Sequence, residues 1–177
     1  MGMKEFLIPF RGLKQGRHQF EHEIDNAFFE SFGYDEFNGA NIKVLATLLK
    51  TSTMMELDVA STGHVNVDCD LTNEPYDQAI NGSMHMVIKF GEVYNDENDE
   101  VLILPHGEYQ FDIKQYIYES VVLAVPQKRV HPGVHDGSLK SDLLDKLDEL
   151  RPQQKEAQRE ENDPRWDKLK KLLTDNK

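Results

Sequence analysis

The sequence predicts an α+β domain: a mostly antiparallel β-sheet, one long packed helix across it, and a flexible, partly helical C-terminal tail. Three observations lead there. Apolar and polar residues alternate through much of residues 6–104, the period of half-buried strands. One segment, 112–125, switches to a helical period and is bounded by a cap residue and a proline. From about Ser141 the chain becomes highly charged with sparse apolar positions, the composition of a segment without a core of its own.

The strands follow in order. Phe6-Leu7-Ile8-Pro9-Phe10 is a short β-type run whose proline suits a sheet edge. Gly12 and Gly16 bracket a basic turn with Arg11, Lys14 and Arg17. His18–Ile24 alternates as a strand. Asp25 or Asn26 then caps a helical turn over Ala27–Phe32, which Gly33 ends. Ile42, Val44, Ala46 and Leu48 line one face of a strand over Asn41–Lys50. Met55–Val59 alternates apolar with acidic residues, so one face is buried and one is wet. Gly63 breaks that pattern, and His64–Cys69 resumes it with Val65, Val67 and Cys69 on one side. Asp70–Pro75 is a turn by composition, and Tyr76–Phe90 is a long return strand. Asn81-Gly82 within it suits a bulge better than a hairpin turn, because the residues before it make a very short independent strand. Asn95–Glu100 is an acidic loop, Val101–Leu104 a short strand, and Pro105-His106-Gly107 a turn.

Asp112 is placed as an N-cap, with Gln115 completing a capping box. Ile113, Tyr116, Ile117, Val121 and Ala124 share one helical face, and Pro126 ends this helix, Asp112–Val125. Val130–Gly137 is a loop or linker. Leu139, Leu143, Leu144, Leu147 and Leu150 form a helical stripe that Pro152 stops. Gln153–Asn162 has linker composition. Asp163-Pro164 then opens a closing helix, Asp at the cap and Pro at the first helical position. Trp166, Leu169, Leu172 and Leu173 form its apolar stripe, surrounded by Arg165, Lys168, Lys170 and Lys171. A helix over Asp163–Leu173 is too short to stand alone in water. It therefore folds against its own domain or a partner. The expected division is an acidic domain over 1–135 and a charged tail with short helices over 136–177.

Composition bounds the function. The 177 residues suit one domain plus an appendage. Hydrophobic residues make up 38% and the mean hydropathy is -0.62. The longest apolar runs, such as Val121–Val125, are too short to cross a bilayer, and no signal segment precedes the first strand pattern. A lone cysteine, Cys69, forms no internal disulfide and fits a reducing compartment. These features predict a cytoplasmic protein. The formal net charge is -12. Residues 136–177 hold 10 Lys/Arg and 11 Asp/Glu, which leaves 10 basic and 21 acidic residues in 1–135, a net of -11. The domain repels a phosphate backbone on average, so a nucleic-acid contact needs a local basic patch. A basic protein partner is the alternative.

No catalytic constellation emerges. His18 and His22 are four residues apart, as are His131 and His135, but neither pair has the HExxH context, and both fit surface histidines near loops. Cys69 closes an alternating strand face, the place of a small buried apolar residue. Its neighbours Asp68 and Asp70 are expected to raise its pKa. The runs Glu92–Glu100 and Glu156–Glu161 are solvated loops and linkers, without the residue order of a calcium loop. There is no P-loop, GxGxxG or GxSxG. No metal or cofactor is expected. The functional feature is the closing helix, whose Trp and spaced leucines form an anchor set for a groove.

The order of three features is similar to a known family. The first is Val65–Tyr76, a strand–turn–strand with Cys69 and Pro75-Tyr76. The second is Phe111-Asp112-Ile113 leading into a helix, then Val125-Pro126 and His131-Pro132. The third is the closing Asp163-Pro164-Arg165-Trp166-Asp167-Lys168-Leu169-Lys170-Lys171-Leu172. Together they span about residues 60–173 and resemble the YceD family of bacterial and plastid proteins, associated with accumulation of large-subunit ribosomal RNA. The family usually has a CxxC in the turn, and Thr72 stands here at the second position, so a metal or redox role of that pair is not carried over. The resemblance implies a non-catalytic factor in large ribosomal subunit biogenesis, acting in 23S rRNA accumulation or processing. Its implied partners are large-subunit rRNA, a large-subunit ribosomal protein, or both. Asp163 would cap the final helix, Arg165, Lys168, Lys170 and Lys171 would meet phosphates, and Trp166 would stack on a base or fill a protein groove, with Leu169 of the apolar stripe also among the binding residues. An acidic, chaperone-like holder of a basic protein, without RNA contact, is the alternative.

Overall fold

The computed structural model describes residues 6–98 and 100–150. Alternating residues build one six-stranded sheet from β2 (Gly16–Asp25), β3 (Gly39–Lys50), β4 (Met54–Asp68), β5 (Pro75–Gly91), β6 (Asn95–Asn98) and β7 (Val101–Pro105). The order is β2-β3-β4-β5-β7-β6. Every neighbouring pair is antiparallel except β5–β7, which is parallel. A separate two-stranded sheet pairs β1 (Leu7–Ile8) with β8 (Phe111–Asp112). The α+β expectation with a mostly antiparallel sheet holds.

One face of the sheet is apolar because the strand period is two. Ile42, Val44, Ala46 and Leu48 of β3, Met55, Leu57, Val59, Val65 and Val67 of β4, and Ile80, Met86 and Ile88 of β5 are all buried. The opposite face is mostly polar, with Lys43, Asp58, Thr62, His64, Asn81, Ser83 and His85 exposed, and Leu45, Leu49 and Val87 half-buried among them.

Two glycines act differently from the sequence expectation. Gly63 does not interrupt a strand: β4 pairs with β3 continuously from Met55 to Asn66. Its φ of +154° and the approach of Asn41 O to where a Cβ would stand explain the glycine. The bulge expected at Asn81-Gly82 is absent, since Thr62↔Asn81 and Ser61↔Gly82 sit in unbroken register. Gly82 instead makes room for a helix. A Cβ there would lie 2.5 Å from Ser120 O and 3.3 Å from Ala124 Cβ.

That helix is α2 (Lys114–Ala124), and it buries Ile117, Ser120 and Val121. Ile113 just before it is also fully buried. Ser120 Oγ donates to Ile117 O at 2.9 Å and lies 3.2 Å from Ser61 Oγ, a buried polar contact opposite Gly82. The helix starts later than its expected cap. Asp112 belongs to β8 and accepts the Lys114 N–H at 2.8 Å. Gln115 completes no capping box, because its Nε2 donates to Glu119 Oε1 at 2.6 Å.

A second helix, α1 (Asn26–Glu30), carries Phe28 and Phe29 into the core. Asp25 stands at its N-cap without a side-chain hydrogen bond, and Asn26 Nδ2 bonds Glu30 instead. Gly33, with φ +72°, donates to Glu30 O at 2.9 Å and ends it. Edge-to-face contacts join Phe28–Phe29 at 5.2 Å and Phe29–Phe37 at 5.0 Å, and Phe32 stacks on Tyr118 of α2 at 4.4 Å.

Two expected loops are ordered elements. Asn95–Asn98 pairs with β7 as an edge strand, its acidic side chains pointing into water where an edge tolerates them. Pro132–Asp136 forms α3, with His131 at the N-cap and Gly137 in the left-handed conformation at the C-cap. Two compact units are distinguished, Met1–Lys140 and Ser141–Lys177. In the second, the described element is α4 (Asp142–Leu150), with Leu143, Leu147 and Leu150 exposed. Leu139 lies before α4, its N–H bonded to Gly133 O at 2.9 Å.

Candidate functional site

The described residues converge on the turn that joins β4 to β5. Asn73 adopts φ +58°, a conformation that asparagine tolerates. This lets its N–H reach Cys69 O at 2.8 Å, while the Cys69 N–H donates to Glu74 O at 2.9 Å. The turn thus returns the chain into β5. Thr72, buried beside it, accepts the Glu74 N–H at 3.4 Å.

The segment after α2 is laced onto this turn. Arg129 O accepts the Asp70 N–H at 2.8 Å, and Asp70 Oδ2 accepts the Arg129 N–H at 2.7 Å. The Arg129 guanidinium lies 3.6 Å from Asp70 Oδ1 through Nε and 3.4 Å from Glu36 Oε2 through Nη1. Tyr34 also donates to Glu36 Oε2, at 3.4 Å, and burial with that carboxylate pushes its phenol up to about 12. Two residues beyond Arg129, the His131 N–H donates to Cys69 Sγ at 3.3 Å. The His131 ring meets Tyr76 edge-on at 5.4 Å, and its Nδ1 accepts the Gly133 N–H at 2.9 Å.

The sulfur is therefore a hydrogen-bond acceptor in a closed site. Cys69 is 2% exposed. Burial pushes its thiol up, but hydrogen bonds from the His131 N–H, the Thr72 side chain, and the Leu71 and Thr72 backbone outweigh it. The net shift is downward. This corrects the expectation that Asp68 and Asp70 raise it. Their carboxylates are engaged elsewhere, Asp68 with Asn38 Nδ2 at 2.8 Å and Asp70 with Arg129. A thiol closed to solvent, with no side-chain base bonded to it, is suited to fastening two segments rather than to attack.

Other chemistry is thinly represented. Among the described residues, no group of three or more His, Cys, Asp or Glu is placed to hold a metal ion. His18 Nε2 lies 2.8 Å from Lys14 O, the His22 ring packs on Phe6 at 5.2 Å, and His135 is exposed. A cavity of about 370 Å³ is lined by Phe32, Met84, Tyr94, Leu102, Lys114 and Tyr116, among others. Another of about 590 Å³ is lined by Gly82, Met84, Ser120, Leu123 and Ala124, among others. Neither reaches Cys69 or Arg129.

The binding residues expected from the sequence, Asp163, Arg165, Trp166, Lys168, Leu169, Lys170 and Lys171, lie outside the described residues. Sequence reasoning singled out Cys69, Thr72 and His131 but missed Arg129, Asp70 and Glu36 as a charge cluster. No local signal links them, since Asp70 and Arg129 are 59 residues apart.

The family model described as "Large ribosomal RNA subunit accumulation protein YceD" matches residues 57–173. That range holds most of β4, the Cys69 turn, α2 and the Arg129–His131 segment, and it extends through the expected closing helix. No curated protein and no solved structure matches the chain.

Proposed function

The chain belongs to the YceD family, and on that premise we propose that it is a non-catalytic factor in large ribosomal subunit biogenesis. It supports accumulation or processing of 23S rRNA by binding the rRNA, a large-subunit ribosomal protein, or both. The observation that carries this reading is the family match, whose description concerns large-subunit RNA and names no reaction. The proposed setting is the cytoplasm, and no described helix is long and apolar enough to cross a membrane.

Charge then selects the contact. Residues 1–135 carry a net of -11, which opposes a phosphate backbone. Several described cations already face protein oxygens. Arg129 faces Asp70 and Glu36, and Lys50 Nζ donates to Phe10 O and Leu13 O at 2.8 Å each. The cations proposed to meet phosphates are Arg165, Lys168, Lys170 and Lys171, with Trp166 and Leu169 supplying a stacking or groove-filling anchor and Asp163 the helix cap.

The test is depletion of the protein followed by sedimentation of ribosomal subunits. A deficit of the large subunit is expected, and normal large-subunit levels overturn the reading. For the contact, Lys168→Gln, Lys170→Gln and Lys171→Gln together should weaken binding to large-subunit RNA. The slope of log affinity against log salt should fall by roughly 0.7–0.9 for each phosphate that is no longer neutralised. An unchanged slope removes the RNA contact from these lysines, and recovery of only a basic ribosomal protein moves it to protein.

A further inference from the structure

β2 is a terminal strand of the main sheet and runs for 10 residues, Gly16–Asp25. Among the described residues no strand pairs with its outer side. Edge strands of this length usually carry a guard: a proline, a bulge, a lysine, or early termination. The opposite edge is guarded, since β6 has 4 residues and its register with β7 is irregular between Asn95 and Asn98. β2 contains no proline or lysine, and its register with β3 runs from Gly16↔Lys50 to Asp25↔Asn41 without a shift.

We propose that β2 is the interface of a homodimer, in which two copies of the strand pair antiparallel about a two-fold axis at Phe20. Directly opposed residues of antiparallel strands point to the same face. The axis must therefore pass through a residue, with the exposed set Arg17, Gln19, Glu21 and Glu23 opposed within itself. An axis at Phe20 aligns residues 16–24, nearly the whole strand. It sets Arg17 opposite the partner's Glu23, and by symmetry does so twice. Gln19 then faces the partner's Glu21, and half-buried Phe20 faces the partner's Phe20. Other registers are poorer. An axis at Glu21 opposes two identical carboxylates. An axis at Gln19 keeps an opposite-charge pair, Arg17 with Glu21, but aligns only residues 16–22.

The charge match is what specifies a second copy as the occupant. A chain of net charge -12 repels its own kind at long range, and the Phe20 register turns that repulsion into attraction at the seam. Glu23 keeps capacity for it, because its contact to Lys43 Nζ within the chain is 3.9 Å long and largely exposed. One strand pair is a small interface, below the roughly 1,200 Å² at which standard-size stable interfaces begin. The dimer is therefore reversible and concentration-dependent.

Sedimentation velocity of the full chain over a concentration series tests this. A monomer–dimer equilibrium is expected. Arg17→Glu and Glu23→Arg should each weaken it about tenfold or more, since each places like charges opposite one another. The double variant Arg17→Glu/Glu23→Arg should recover dimerisation. Both side chains are exposed, so circular dichroism should show each variant folded. A chain monomeric at its highest soluble concentration, a dimer indifferent to the single substitutions, or a double variant no better than the singles overturns the proposal. Recovery by Arg17→Glu/Glu21→Arg instead moves the axis to Gln19 and overturns the Phe20 register.

Discussion

Replacing Gly82 with alanine tests how α2 is seated on the sheet. The added methyl would lie 2.5 Å from Ser120 O, 3.2 Å from Ser120 C and 3.3 Å from Ala124 Cβ. Ordinary carbon contacts are ~3.5 Å or longer, so the helix must retreat by on the order of 1 Å to clear the carbonyl. Overpacking of this kind costs about 1–3 kcal/mol. Against it stands the smaller chain entropy of alanine, worth about 0.5–1 kcal/mol in a strand. The backbone at Gly82 lacks a positive φ, so that gain is realised. The net expectation is a loss of about 1–2 kcal/mol, to which stretching of the buried Ser61–Ser120 contact, 3.2 Å long, also contributes. At ~2–4 °C per kcal/mol for a domain of this size, Tm falls by about 2–8 °C. Urea titration gives the free energy, with an unchanged m-value showing that the same surface still unfolds. Gly12→Ala is the control, since nothing lies within 4 Å of a Cβ there and its φ is not positive; it should be neutral or stabilising by up to ~1 kcal/mol. A Gly82→Ala protein as stable as the parent would refute the close approach as the reason for glycine.

The turn and sheet face allow further tests. Cys69→Ala leaves the His131 N–H without its sulfur acceptor and should cost about 1–3 kcal/mol in urea titration; the parent thiol should react with a thiol reagent only on unfolding, because it is 2% exposed. Asp70→Ala should be worse than Asp70→Asn, which keeps an acceptor for the Arg129 N–H at 2.7 Å; equal losses would assign the effect to the half-exposed ion pair instead, worth about 0–1 kcal/mol. His85 Nδ1–H donates to Asp58 Oδ1 at 2.7 Å, and this hydrogen bond holds its pKa above the ordinary 6.5. The raised folded value means the contribution is fully present below about pH 6.5 and lost as pH rises through the folded pKa. Both groups are largely exposed, so the stability effect is small. NMR titration of the ring, which Asp58→Asn should return toward 6.5, is the sharper readout.

Much of the sheet was legible because a strand with one wet face writes its period directly into the sequence. Met55–Val59 alternates without exception and Ile42–Leu48 does so apart from Leu45, and the buried set follows that alternation. Glycines were harder. Breaking a strand, bulging it and admitting a neighbouring backbone all call for the same residue, and only tertiary contact tells Gly63 and Gly82 apart from a true interruption. The acidic composition of Asn95–Asn98 concealed an edge strand, because an edge needs backbone partners on one side only. At the Cys69 turn, neighbours in sequence misled. Alternation sends Asp68 away to Asn38, and Asp70 is drawn to Arg129, so the groups acting on the sulfur include backbone N–H donors, one of them 62 residues distant.

The two proposals make a joint claim that neither makes alone. The cations proposed to meet RNA lie in the last quarter of the chain, and the proposed dimer edge lies in the first. A dimer brings two copies of the Arg165–Lys171 cation cluster to one RNA, so the second contact forms at a raised effective concentration rather than from bulk solution. Arg17→Glu removes no proposed RNA-binding cation, yet it should lower apparent RNA affinity at protein concentrations where the parent is dimeric. In dilute solution, where the parent is monomeric, one substituted charge at Arg17 should matter much less. Loss of the RNA-binding lysines should weaken binding at every concentration. An Arg17→Glu deficit that persists undiminished on dilution would mean that Arg17 meets the RNA itself, and that the folded unit, despite its net negative charge, contributes directly to the contact.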